Sequence, residues 1–151
     1  MDRDDILDTL NKLVETSKDG EYGFGTSAEY LRSPDVKQIF LRRAEECRAA
    51  AAELQALVVD LGGTPETGGT ASGAVHRGWV AVKGTLAGYS DRAILEETER
   101  GEDIALSSYR SALDEELPAD VRSIVERQYE GVKRNHAQVR LLRDRARTAG
   151  V

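Results

Sequence analysis

Apolar and small residues recur in alternating steps of three and four from the start of the chain, at Ile6, Leu10, Leu13, Ser17, Gly20, Phe24, Ala28 and Leu31. That spacing lays one stripe along a 3.6-residue helix and predicts a long amphipathic helix over about 3–31. Ser33-Pro34-Asp35 follows, with a hydroxyl at the N-cap and proline at the first helical position, so the chain reverses tightly into a second helix. Its stripe reads Val36, Phe40, Arg43, Cys47, Ala50, Leu54, Leu57 and Leu61, and Gly62-Gly63 ends it, giving a helix over about 35–61. Ser90-Asp91 caps a third helix with Ile94, Thr98, Glu102, Ala105, Tyr109 and Leu113 on one side, over about 91–116. Leu117-Pro118 opens a fourth over about 118–147, whose seam of Val121, Val125, Gln128, Val132, Asn135, Val139 and Leu142 includes two amides.

Between the second and third helices, residues 62–88 hold eight of the fourteen glycines, together with Pro65 and an isolated stretch from Val75 to Val80 that includes His76. A connection this long inside a compact domain needs a topological reason. Short turns make helices one and two antiparallel, and likewise three and four. A link of this length can span the whole bundle, because extended chain covers roughly 3.3 Å per residue. Helices two and three then run parallel. The expected fold is an all-α, ferritin-like four-helix bundle with one long crossover between helices 2 and 3, formed as a single domain over 1–151.

Composition agrees and narrows the class. The chain has 151 residues, 40% hydrophobic, 32% charged and 5% aromatic, which excludes a disordered tail and a multidomain machine and leaves a core of small and straight aliphatic side chains suited to helix packing. A net charge of −6 argues against non-specific nucleic-acid binding. Charge is uneven: Lys133, Arg134, Arg140, Arg143, Arg145 and Arg147 crowd the end, whereas Glu96, Glu97, Glu99, Glu102 and Asp103 crowd the third helix, as neighbouring solvated helix faces would. Cys47, the only cysteine, excludes an intramolecular disulfide and reads as a buried small residue. The acidic start, Met1-Asp2-Arg3-Asp4-Asp5, does not read as a targeting segment, and no stretch has the length of a membrane span, so the cytoplasm is the expected compartment, with no membrane partner.

The run Asp19-Gly20-Glu21-Tyr22-Gly23-Phe24, the stretch Ala44-Glu45-Glu46-Cys47, His76-Arg77-Gly78-Trp79, Glu99-Arg100-Gly101-Glu102-Asp103 and the late His136 resemble an uncharacterised bacterial four-helix-bundle family, a domain-of-unknown-function family of the ferritin-like superfamily. The resemblance spans nearly the whole chain. It implies the fold; it implies little about activity.

Di-iron members of that superfamily place a Glu from each of two helices and a Glu-x-x-His from each of the other two in the bundle interior, and carboxylate with imidazole suits iron or manganese. Glu21, Glu46, Glu102 and His136 are the matching candidates here, with Glu53 in reserve. At 1.5 Å per residue, all four are displaced from their helix midpoints toward the same end of the bundle, at heights of about 1.5 to 6 Å, so one polar layer is expected. Each Glu-x-x-His has lost one half. Glu46 is followed three residues later by Ala49, and Lys133 precedes His136 where the motif has Glu. Lys133 is therefore expected to neutralise the carboxylate layer in place of a second cation.

The same residues also have plainer readings. Glu21 and Glu46 can be solvated flank residues, His136 a hydrogen-bonded interior imidazole, His76 a surface or packing residue, and Tyr22, Tyr109 and Tyr129 core aromatics. Gln128 and Asn135 on the seam need partners if buried, and can fix helix register or a contact between two chains. No nucleophilic triad, phosphate-binding glycine loop or zinc spacing is visible. The expected function is that of a ferritin-like bundle with a degenerate carboxylate and histidine layer, a non-catalytic or structural, stress-related bundle. The alternative is an iron- or manganese-binding carboxylate protein, mono- or dinuclear, with oxidase or metal-handling activity. A homo-oligomer, specifically a dimer, is expected by analogy with the superfamily.

Overall fold

The computed structural model describes residues 1–68 and 89–150. Its elements are α1 (Arg3–Tyr30), α2 (Pro34–Asp60), α3 (Asp91–Leu113) and α4 (Ala119–Ala149), with no strand among the described residues. Most of the expected crossover, from residue 69 onward, lies outside the described residues, as do His76 and the stretch around it.

The helix starts are set by the side chains that the sequence places there. Asp2 caps α1 by accepting from the Asp5 amide at 2.9 Å, and the Asp5 carboxylate accepts in return from the Asp2 amide at 3.5 Å. Ser33 caps α2, with Pro34 in the first turn, and Ser90 caps α3 by accepting from the Ala93 amide at 3.2 Å. Gly62, at a φ of 81°, turns the chain out of α2 in a left-handed conformation that a side chain would strain. The glycines at 20, 23 and 25 do not stop α1, which runs through them to Tyr30.

Helix α3 ends at Leu113, three residues before the expected Glu116. The reason is local. Pro118 disfavours helical backbone at Leu117, and the Arg122 guanidinium reaches back to the carbonyls of Leu113, at 3.1 Å, and Glu115, holding the end of α3 open into a turn. Helix α4 continues two residues past the expected 147 and stops at Gly150, left-handed at a φ of 70°.

Side-chain pairings give the topology. Along α1, Thr9 meets Glu115, Ser17 meets Tyr109 and the turn at Arg32 meets Asp91, so α1 and α3 are antiparallel. Glu53 of α2 meets Gln128 of α4, and Phe40 shares an apolar cluster with Val139, so α2 and α4 are antiparallel as well. Helices α2 and α3 therefore run parallel, and α2 ends where α3 does, at the opposite end of the bundle from the start of α3. This is the ferritin-like arrangement. Asp91 locks it at that end, its carboxylate accepting from the amides of Arg32 and Ser33, each at 2.9 Å, so the first turn of α3 clasps the α1–α2 reversal.

The core is in two pieces. One cluster gathers Ile6, Leu10, Leu13, Val14, Leu54, Val58, Val121 and Val125 at the end where the chain starts. The other gathers Phe24, Leu31, Phe40, Ile94, Leu95 and Val139 at the end where α3 begins. Each fully buried aliphatic or aromatic side chain contributes about 1.5–3 kcal/mol by leaving water.

Between the clusters α1 and α2 approach closely, because Gly20 lacks a side chain: a Cβ there would stand 2.9 Å from the Cys47 Sγ, whereas a Cβ at Gly25 would meet nothing within 4 Å. Gly25→Ala is expected to raise stability by about 1 kcal/mol through helix propensity. Gly20→Ala, which gains the same propensity but must displace a buried thiol, should be less stable than Gly25→Ala by about 1–3 kcal/mol. Urea unfolding of the two variants beside the parent measures that difference.

Candidate functional site

The two apolar clusters leave a band at mid-height where polar side chains are buried: Ser17 on α1, Arg43 on α2, Thr98 and Glu102 on α3, and Gln128, Asn135 and His136 on α4. Buried polar groups are costly without partners, so the useful question is what each one meets.

One chain of hydrogen bonds links all four helices. The Tyr109 hydroxyl donates to Gln128 Oε1 at 2.8 Å, and the Ser17 hydroxyl lies 3.4 Å from the same phenol oxygen. The Gln128 amide then donates to Glu53 Oε1 at 2.8 Å and to the Ala50 carbonyl at 3.3 Å. With its proton committed to Gln128, the phenol accepts from Ser17. Arg127 completes the α2–α4 contact by pairing with Glu53. Burial pushes the Tyr109 hydroxyl up to about 12, so it stays a neutral donor at any ordinary pH.

About two turns away sits the charged part of the layer. Arg43 is only 8% exposed; its Nη1 donates to Glu46 at 3.2 Å, its Cζ lies 5.9 Å from the centre of the Phe24 ring, and its buried Nε has no hydrogen-bond partner among the described residues. Burial alone would lower its pKa, but the thiol of Cys47 and the carboxyls of Glu102 and Glu46 raise it, so the guanidinium keeps its charge. Glu102 is 3% exposed and accepts from the Asn135 side-chain amide. Burial lifts its carboxyl to about 7, against the opposing pull of Arg43 and the Asn135 hydrogen bond. Cys47 is buried beside them, its thiol pushed up to about 12 by burial and therefore unreactive.

Of the residues singled out in the sequence, Glu102 alone among the carboxylates is buried in the layer. Glu21 is half-buried and pairs with Lys18 at 3.5 Å on its own helix; Glu46, with its side chain 52% exposed, sits at the rim against Arg43; Glu53 serves Gln128 and Arg127. His136 is buried but turns to Asp103, with 2.6 Å between Nε2 and Oδ1. Among the described residues no three His, Cys, Asp or Glu side chains come together in a group able to hold an ion, so these donors as placed do not fit an iron or manganese pair.

The expectation for Lys133 is corrected. Its ammonium pairs with Glu130 at 2.7 Å and lies 4.7 Å from the Tyr129 ring centre on the outer face of α4. Position 133 follows the seam residue Val132 by one step, about 100° around the helix, which turns it outward. The cation of the layer is Arg43. It stood in the sequence as a charged residue on an apolar stripe, between Phe40 and Cys47, and that was the signal to follow. Asp19, one step before Gly20 on α1, is buried as well.

Small residues facing the layer leave a cavity of about 570 Å³, with walls from all four helices that include Gly20, Ala50, Ala105 and Gly131 beside Arg43 and Glu102.

A four-helix bundle of this connectivity with a buried polar layer at mid-height belongs to the ferritin-like class. Within it the chain is a member of the family described as Domain of unknown function (DUF2383), whose pattern matches residues 5–115. The chain is also similar to the solved dodecameric thioferritin, the bacterioferritin-related protein from Bacteroides fragilis, with a TM-score of 0.77 at 18% identity over 99% of this chain and 91% of that one. No curated protein matches it. The family match ends before α4, so Gln128, Asn135 and His136 lie beyond the matched span.

Glu102 makes stability depend on pH with a definite sign. Its carboxyl ionises near 4.5 in an unfolded chain and near 7 in the bundle, so its contribution is complete below about 4.5 and is lost as the pH rises through about 7. The full swing is on the order of 3 kcal/mol. Glu102→Gln should remove that slope, so the stability difference between parent and variant changes in the variant's favour from pH 5 to pH 8; urea midpoints across that range measure it.

Proposed function

We propose that this protein is a non-catalytic ferritin-like bundle whose mid-layer is held by an internal cation, Arg43, where the metal-binding members of the fold class place ions. Arg43 carries the reading: it is a buried guanidinium in the same cavity wall as Glu102, fixed in charge at every accessible pH. A second cation beside Glu102 would meet its repulsion in a medium that screens poorly. The hydrogen-bond chain from Ser17 to Glu53 supports the same reading, since it commits Tyr109 and Gln128 to joining helices. On this reading the protein works through its folded surface, as a structural or stress-related bundle that assembles into a homo-oligomer, a dimer at least. The printed description of its structural neighbour as dodecameric supports assembly. The net charge of −6 supports a protein without a nucleic-acid partner. No helix among the described residues is long and apolar enough to cross a membrane.

The metal-handling alternative keeps one observation in its favour, that Glu46, Glu53 and Glu102 line a common cavity. Metal analysis separates the two. Protein from iron- and manganese-supplemented cells, purified without chelator, is expected to carry less than about 0.1 ion per chain. One or two ions per chain, lost in Glu102→Ala, would establish the alternative instead.

A further inference from the structure

The mid-bundle cavity is larger than a polar layer needs. At about 570 Å³ it falls within the roughly 300–1,000 Å³ typical of small-molecule sites. Its walls are mostly apolar or small, including Phe24, Ala49, Ala50, Ala105 and Val132. Against them stand three buried charged side chains, the carboxyls of Asp19 and Glu102 and the cation Arg43, which pairs with the half-exposed Glu46 and has a buried Nε that no described group satisfies. Two more guanidiniums, Arg134 and the Glu53-paired Arg127, are exposed in the cavity wall. A largely apolar chamber with a buried guanidinium in its wall can receive a carboxylate head on an apolar body, because the planar fork matches the carboxylate and the body displaces water from the walls.

We propose that this cavity binds a small carboxylic acid with an apolar body, its carboxylate on Arg43 and its hydrocarbon against Phe24, Ala50 and Val132. The proposal rests on the reading that Arg43, and not a metal ion, occupies the centre of the bundle.

Glu102 governs the affinity. It shares the cavity wall with Asp19 of α1 and is faced by Arg43, Glu46 and Cys47 of α2, by Asp103 on its own helix and by the uncharged Asn135 of α4. Ionised, Glu102 competes with the incoming carboxylate for Arg43; protonated, it does not. Since its carboxyl titrates at about 7, the bound complex takes up a proton.

Calorimetric titration of the full-length protein with octanoate, octanol and octylamine, which share one hydrocarbon body, tests this directly. Octanoate is expected to bind at least about tenfold more tightly than the other two, and to weaken about tenfold from pH 6 to pH 8. Arg43→Met should erase the preference for octanoate, and Glu102→Gln should erase its pH dependence. If Arg43→Met does not fold, Gly131→Leu serves. Gly131 lines the cavity and a Cβ there meets only Arg134, at 3.6 Å, so a leucine at this position is expected to reduce the cavity from α4. It should cost octanoate at least about tenfold in affinity with the helical spectrum intact. Tighter binding of octylamine, equal binding of all three, or no saturable octanoate binding overturns the proposal. Metal content distinguishes the two failures: a metal-free protein that ignores octanoate loses only the ligand, whereas a metal-loaded one loses the arginine-centred layer itself.

Discussion

A guanidinium held away from water is the constraint on which the rest of this bundle depends. Taking an isolated ion into a protein interior costs several kcal/mol even after relaxation, and the loss is recovered only through well-placed opposite charge and hydrogen bonds. Arg43 has both at mid-height: Glu46 at the rim, Glu102 in the same cavity wall and the face of Phe24 beside it. The apolar clusters on either side give the bundle its stability without fixing how the helices are staggered. The polar layer fixes the stagger, because a shift of one helix by a turn would strand Arg43, Glu102 or Gln128 without a partner.

The layer also explains where small residues fall. Gly20 lets α1 approach the Cys47 side chain, and Ala50, Ala105 and Gly131 keep the bundle open around the guanidinium. Glycines that weaken helices in isolation are thus placed where polar groups need room. A fixed organic cation differs from a metal pair in one functional respect: it neither changes oxidation state nor exchanges. What it offers is a permanent positive charge in the wall of a largely apolar chamber, with Glu102 beside it able to gain or lose a proton near neutral pH.

The fold was legible because every helix signal is local. Stripes with caps at Ser33 and Ser90 and a stop at Gly62 need no tertiary information. The end of α3 was not legible, since it depends on Arg122 reaching back nine residues. The site was legible in its height and only partly in its members. Glu102 lies on a stripe and is buried; His136 lies one position off the seam and turns to Asp103. Searching by a known ligand motif led to Lys133, because the motif constrains spacing to His136 and says nothing about the facing side of the helix. Arg43 was readable without any motif, as the one charge in the apolar stripe of α2, and the cost of burying it was the clue that mattered.

The central claim is that Arg43 and Glu102 sense one another inside the bundle. Carboxyl carbon NMR titration of Glu102, in the parent and in Arg43→Met, reads this directly. The account predicts a carboxyl that titrates near 7 in the parent and rises by at least about one pH unit when the guanidinium is removed. A carboxyl that titrates near 4.5 in both proteins would contradict it, since Glu102 would then be solvated and the layer would have no charge at its centre.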